Sequence, residues 1–79
     1  GLIKIDVEGA EINVLRGAES VLRKYHPEII ISVHPKHLKI LGHSIDELAK
    51  EIHGLGYQIY NIDGSKVNGN LQSGEYYLH

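Results

Sequence analysis

The sequence predicts an α/β fold: a β-α-β-α-β-β chain forming a small, mostly parallel sheet with an antiparallel last strand. Three observations carry this. The apolar spacing changes from a period of two to one near 3.6 after Gly9, and again after Ser44. The run Ile29, Ile30, Ile31 and Val33 is β-branched almost without interruption, as in a parallel strand covered on both faces. The segments Tyr57–Ile62 and Glu75–Leu78 are joined by a polar stretch with no helical pattern, so these two should pair antiparallel.

The elements follow in order. Leu2–Val7 is a strand with Ile3, Ile5 and Val7 on one face and Lys4, Asp6 and Glu8 on the other. Gly9 is a tight-turn residue that tolerates positive φ and close backbone approach. Residues 10–25 read as one helix, with Val14, Ala18, Val21 and Tyr25 as the apolar stripe and Leu15 and Leu22 beside it. Glu19 and Arg23 form an i, i+4 pair, and Glu11 and Lys24 suit the two ends of the helix dipole. Gly17 is costly inside a helix, and close packing against a neighbour would account for it. Pro27 stops the helix at His26. Glu28–His34 is the second strand, ended by Pro35, and 36–42 is a loop or short helical turn. Ser44, Ile45, Asp46 and Glu47 form a capping box that opens a second helix, and Gly54 or Gly56 closes it. Asp63-Gly64 marks a turn before the polar loop 65–74.

The 79 residues form one domain, 1–79. The formal net charge of −2 leaves no basic footprint, which argues against nucleic acid as a partner. No apolar run approaches the ~20 residues of a membrane span. No basic region followed by an apolar one opens the chain, and a cytoplasmic location is expected. Without cysteine there is no disulfide and no thiolate metal site. No G-x-G-x-x-G, phosphate-binding loop or serine nucleophile elbow occurs.

The candidate site gathers where the first strand hands over to a helix, because open α/β sheets bind ligands beyond the carboxyl ends of their strands. Asp6 and Glu8 leave that strand on one face. They could accept hydrogen bonds from a substrate hydroxyl, act as a general base or help hold a divalent cation. His34 ends the next strand. If the two strands are adjacent it approaches Asp6, as a base with its orienting acid or as part of a metal site. His26, His43, His53 and His79 read as surface or helix-end residues, and Tyr57, Tyr60, Tyr76 and Tyr77 as core or cross-strand residues.

The run Lys4-Ile5-Asp6-Val7-Glu8-Gly9-Ala10-Glu11 resembles the KIDVEGAE signature of FkbM-type methyltransferases, which use S-adenosylmethionine (SAM). Val14-Leu15-Arg16-Gly17-Ala18 resembles that family's V-L-x-G-A run. Pro27 through His34-Pro35 resembles its P-x-I-x-x-E-V-H-P strand, and Gly56-Tyr57 its G-Y strand entry. The resemblance implies the C-terminal half of a Rossmann-like methyltransferase sheet, here starting at the fourth of seven strands. It also implies methylation of a hydroxyl on a small molecule or sugar, with Asp6, Glu8 and His34 as catalytic, substrate-side residues. Ser32 stands where the family usually has glutamate.

By the same resemblance, the glycine-rich loop and ribose-binding acid that hold SAM belong to three strands absent from this chain. The chain alone is therefore expected to be inactive and not to bind SAM. The alternatives are a non-enzymatic binding or assembly module derived from the fold, or a small metal-binding domain using Asp6, Glu8 and His34. The edge of Leu2–Val7, with Lys4 as the only charge before Asp6, is expected to recruit a second copy or an N-terminal companion.

Overall fold

The computed structural model describes residues 1–79. Its order is β1 (Leu2–Ile5), α1 (Glu11–Gly17), α2 (Glu19–Tyr25), β2 (Glu28–Val33), α3 (Pro35–Ile40), α4 (Ile45–Gly54), β3 (Ile59–Asn61) and β4 (Gly74–Leu78). One four-stranded sheet runs β1-β2-β4-β3.

The α/β class stands, but the sheet is mixed rather than mostly parallel. Only β1 and β2 pair parallel; β4 pairs antiparallel with both β2 and β3. The cause is the helix-free return after β3. The last strand reverses and inserts beside β2, so β3 reaches the sheet only through β4. That insertion aligns Ile5, Ile31 and Tyr76 in one buried row and Ile29, Leu78 and Ile59 in another.

The helices cover one face. Ile12, Leu15 and Leu22 from α1 and α2, Leu38 from α3, and Leu48 and Ile52 from α4 close over the inward side chains of the sheet. The opposite face carries Leu2, Lys4, Glu28, Ile30, Tyr60, Glu75 and Tyr77, none of them buried; Ser32 is its one buried residue. The double coverage expected from the β-branched run of β2 is therefore absent at Ile30. Tyr77 donates its hydroxyl hydrogen to Glu28 on this face, which pushes the phenol pKa upward.

The predicted helix over 10–25 is interrupted. Ala18, at φ −100° and ψ 8°, separates α1 from α2. The buried stripe is Ile12, Leu15 and Leu22, whereas Val14, Val21 and Tyr25 form a second apolar row that stays exposed. Two apolar rows flank each other in the sequence, and periodicity does not say which one turns inward. Gly17 meets nothing within 4 Å of an added Cβ, so close packing does not explain it. It ends α1, where a glycine is cheaper than in a helix interior.

The remaining boundaries follow local chemistry. Pro35 both ends β2 and starts α3, where its missing N–H costs nothing. Gly42 and Gly56, at φ +81° and +87°, stop α3 and α4. In each case the amides of the glycine and its successor turn back to helix carbonyls, Gly56 to His53 at 3.0 Å and Tyr57 to Ile52 at 3.3 Å. Ser44 Oγ accepts the Glu47 N–H at 3.1 Å, as predicted, while the Glu47 carboxylate turns to His43 Nδ1 at 3.4 Å. Tyr57 lies before β3 rather than in it. It is buried, stacks on His26 and donates to the Pro27 carbonyl at 2.6 Å.

Candidate functional site

Because β1 and β2 are parallel neighbours, their carboxyl ends open on the same edge. Asp6 is one residue beyond β1 and His34 one beyond β2. The two side chains meet there, with His34 Nε2 3.1 Å from Asp6 Oδ1. A carboxylate oxygen only accepts, so Nε2 carries the hydrogen and donates it, and in the neutral ring Nδ1 then keeps a lone pair. The pair is partly open to solvent, with side-chain exposures of 51% for Asp6 and 33% for His34. The juxtaposition anticipated from strand adjacency is therefore present.

The turn that presents Asp6 is tightly held. Glu8 sits at φ +49° and Gly9 at φ +101°. A Cβ on Gly9 would lie 2.6 Å from the carbonyl carbon and oxygen of His37, so only glycine lets the turn lie against α3. This contact brings the His37 ring edge-on to His34, with centroids 5.5 Å apart.

Glu11 fixes the turn from inside. Its side chain is fully buried, and its carboxylate accepts the Gly9 N–H at 3.1 Å on each oxygen and the Val7 N–H at 3.3 Å. In the sequence Glu11 reads only as an acid suited to a helix start. The available signal was its spacing: a long acid in the first helical turn, two residues after a glycine, can reach back to free amides as a capping-box glutamate does.

Glu8 is exposed, and the fold does not gather it with Asp6 and His34. No group of three or more His, Asp or Glu side chains converges as a metal site, which removes the ligand set of the metal-binding alternative. Ser32, in place of the expected acid, is buried beside β4, directly opposite Glu75, whose carboxylate is 3.7 Å from Lys4 Nζ. Of the other four histidines, His26 bonds the Gly56 carbonyl, His43 pairs with Glu47, His53 bonds the Tyr57 carbonyl, and the His79 ring lies near those of Tyr60 and Tyr77.

Sequence reasoning missed the other wall of the site. An open cleft of about 490 Å³ begins at His34 and is lined by His34, Pro35, Lys36, His37, Gln72 and Ser73. The last two come from the loop between β3 and β4. The buried Tyr76 pins that loop, its hydroxyl accepting the Gln72 N–H at 2.8 Å and donating to the Gln72 carbonyl at 3.2 Å. The polar composition of 65–74 marks a loop but not the direction in which it folds.

The family model described as the methyltransferase FkbM domain matches residues 1–59, a span that includes Asp6, Glu8, Glu11 and His34. No curated protein and no solved structure matches the chain.

Proposed function

The chain belongs to the FkbM methyltransferase family, and on that premise we propose that it forms the acceptor-side part of a SAM-dependent O-methyltransferase domain acting on a hydroxyl of a small molecule or sugar. The observation that carries this reading is the Asp6–His34 hydrogen bond at the carboxyl edge of β1 and β2. With Nε2 donating to Asp6, His34 Nδ1 can take the proton of an acceptor hydroxyl, and the adjacent carboxylate stabilises the imidazolium that results. Glu8 lies on the exposed side of the same turn, where it can accept a hydrogen bond from a second substrate hydroxyl.

The cleft beside His34 is lined by charged and polar side chains with Pro35 as the one apolar residue, which suits a hydroxylated acceptor better than an adenine ring. The reading accordingly gives this chain acceptor binding and proton transfer, and no step is assigned to the cofactor.

Two titrations test it. Calorimetry with SAM is expected to show no saturable heat below the millimolar range; tight binding would overturn the assignment of roles. Neutral sugars and polyols are expected to shift the His34 ring resonances saturably, more weakly in Asp6→Asn. No response of His34 to any hydroxylated ligand would overturn the acceptor site.

The reading also includes a partner along β1. This strand is at the sheet edge, and Leu2 and Ile3 are exposed there. An uncovered edge pairs readily with another strand, from a second copy or a companion segment. Sedimentation velocity should show concentration-dependent association that Ile3→Lys suppresses; a monomer at all concentrations would contradict pairing between copies. Ile5 is unsuited to this test, because it is part of the core.

A further inference from the structure

We infer that the cleft between α3 and the β3–β4 loop binds an acidic substituent, a carboxylate or phosphate, on the hydroxylated acceptor. The inference rests on the acceptor-site reading above and adds the chemical class of the ligand.

The lining supplies the argument. Beyond His34 and Pro35 it consists of Lys36, His37, Gln72 and Ser73, and it contains no acid. Lysine is a donor only, serine and glutamine carry donors, and a histidine can donate from either ring nitrogen when protonated. The five ion pairs of the fold use Lys4, Arg16, Arg23, His34 and His43 as the basic partners, which leaves Lys36 without an acid. Asp6 is paired with His34 and Glu75 with Lys4, while Glu8 is exposed on the Asp6 turn and does not line the cleft. A donor-rich wall with no acid of its own suits a ligand rich in acceptor oxygens, and a charged oxyanion gains most from a lysine.

The framework is also set before any ligand arrives. Tyr76 fixes the backbone at Gln72, next to Ser73. Gly9 seats the Asp6 turn against the backbone of His37. An acidic group held at Lys36, His37 and Ser73 would sit at one end of the cleft. The rest of a sugar-sized molecule would extend toward His34, placing a hydroxyl at the free Nδ1. The cleft volume of about 490 Å³ leaves room for such a ligand.

The test compares glucose, glucuronate and glucose 6-phosphate by NMR titration of the full chain at low ionic strength, read at the rings of His34 and His37 and the amides of Gln72 and Ser73. At least one acidic sugar is expected to bind about five- to tenfold more tightly than glucose, with the preference falling as salt is added. The carboxylate and phosphate arms distinguish which oxyanion the cleft takes. In Lys36→Gln, a change at an exposed position, the preference for the acidic sugar over glucose should vanish. Equal binding of all three sugars would overturn the acidic-substituent inference and leave the acceptor site intact. A preference that survives Lys36→Gln would also overturn it. No response of His34 to any of the three would remove both the inference and the acceptor-site reading beneath it.

Discussion

His34 and Asp6, 28 residues apart in the chain, share a hydrogen bond of 3.1 Å that links the ends of two parallel strands. Both side chains are partly exposed, and exposed pairs contribute little to folding. Asp6→Ala should therefore change stability by less than about 1 kcal/mol in chemical denaturation. A loss several times larger would make the pair a strap for the sheet rather than a group available for chemistry.

Two glycines should respond in opposite ways. Gly9→Ala must adopt φ near +101° and push a methyl group into the His37 backbone. Strain of about 1–3 kcal/mol is expected from the backbone alone, with the clash added to it. Gly17→Ala enters open space at the end of α1 and should be neutral or stabilising by up to about 1 kcal/mol. Thermal melts of the two variants would decide, and equal shifts would contradict the geometry of the turn.

Removing the Glu11 carboxylate leaves the Gly9 amide without its acceptor in a buried position. Glu11→Ala should cost about 2–3 kcal/mol, from the lost charge-assisted bonds and the stranded donor. Hydrogen exchange at Gly9 should accelerate with it. If that amide stays protected in the variant, it has another acceptor and Glu11 is not what holds the turn.

Alkaline pH should destabilise the fold through Tyr57. Burial raises its phenol pKa above the ordinary value of 10.0. The unfolded chain therefore releases this proton at lower pH than the folded one. The contribution is fully present below about pH 10 and is lost as pH rises toward the folded-state pKa. Melting temperatures measured from pH 8 to 11 should fall, and fall less steeply in Tyr57→Phe. An identical slope in the variant would contradict the assignment.

Several parts of this structure are legible in the sequence for plain physical reasons. The positive-φ turn at Gly9, the Ser44 half of the capping box and the stop at Gly56 depend on chemistry within a few residues and appear as read, whereas Glu47 turns to His43 instead of reaching back. The Asp6–His34 contact needs only that β1 and β2 be parallel neighbours, which the intervening helical segment makes the simplest connection. What stayed hidden depends on non-local placement. The burial of Leu15 and Leu22 over Val14 and Val21 depends on which side of the helix meets the sheet. The insertion of β4 beside β2 depends on competition for one open edge. Gln72 and Ser73 reach the site only because Tyr76, in that inserted strand, anchors their loop.

The central claim is that Asp6 holds His34 in the tautomer that leaves Nδ1 free at the carboxyl edge. A long-range ¹H–¹⁵N spectrum of the His34 ring at neutral pH, recorded for the wild type and for Asp6→Asn, tests this most directly. The account predicts a hydrogen on Nε2 and an unprotonated Nδ1 in the neutral ring of the wild type, with this preference lost or weakened in the variant. A hydrogen on Nδ1 in the wild type, or a spectrum indifferent to Asp6→Asn, would contradict it.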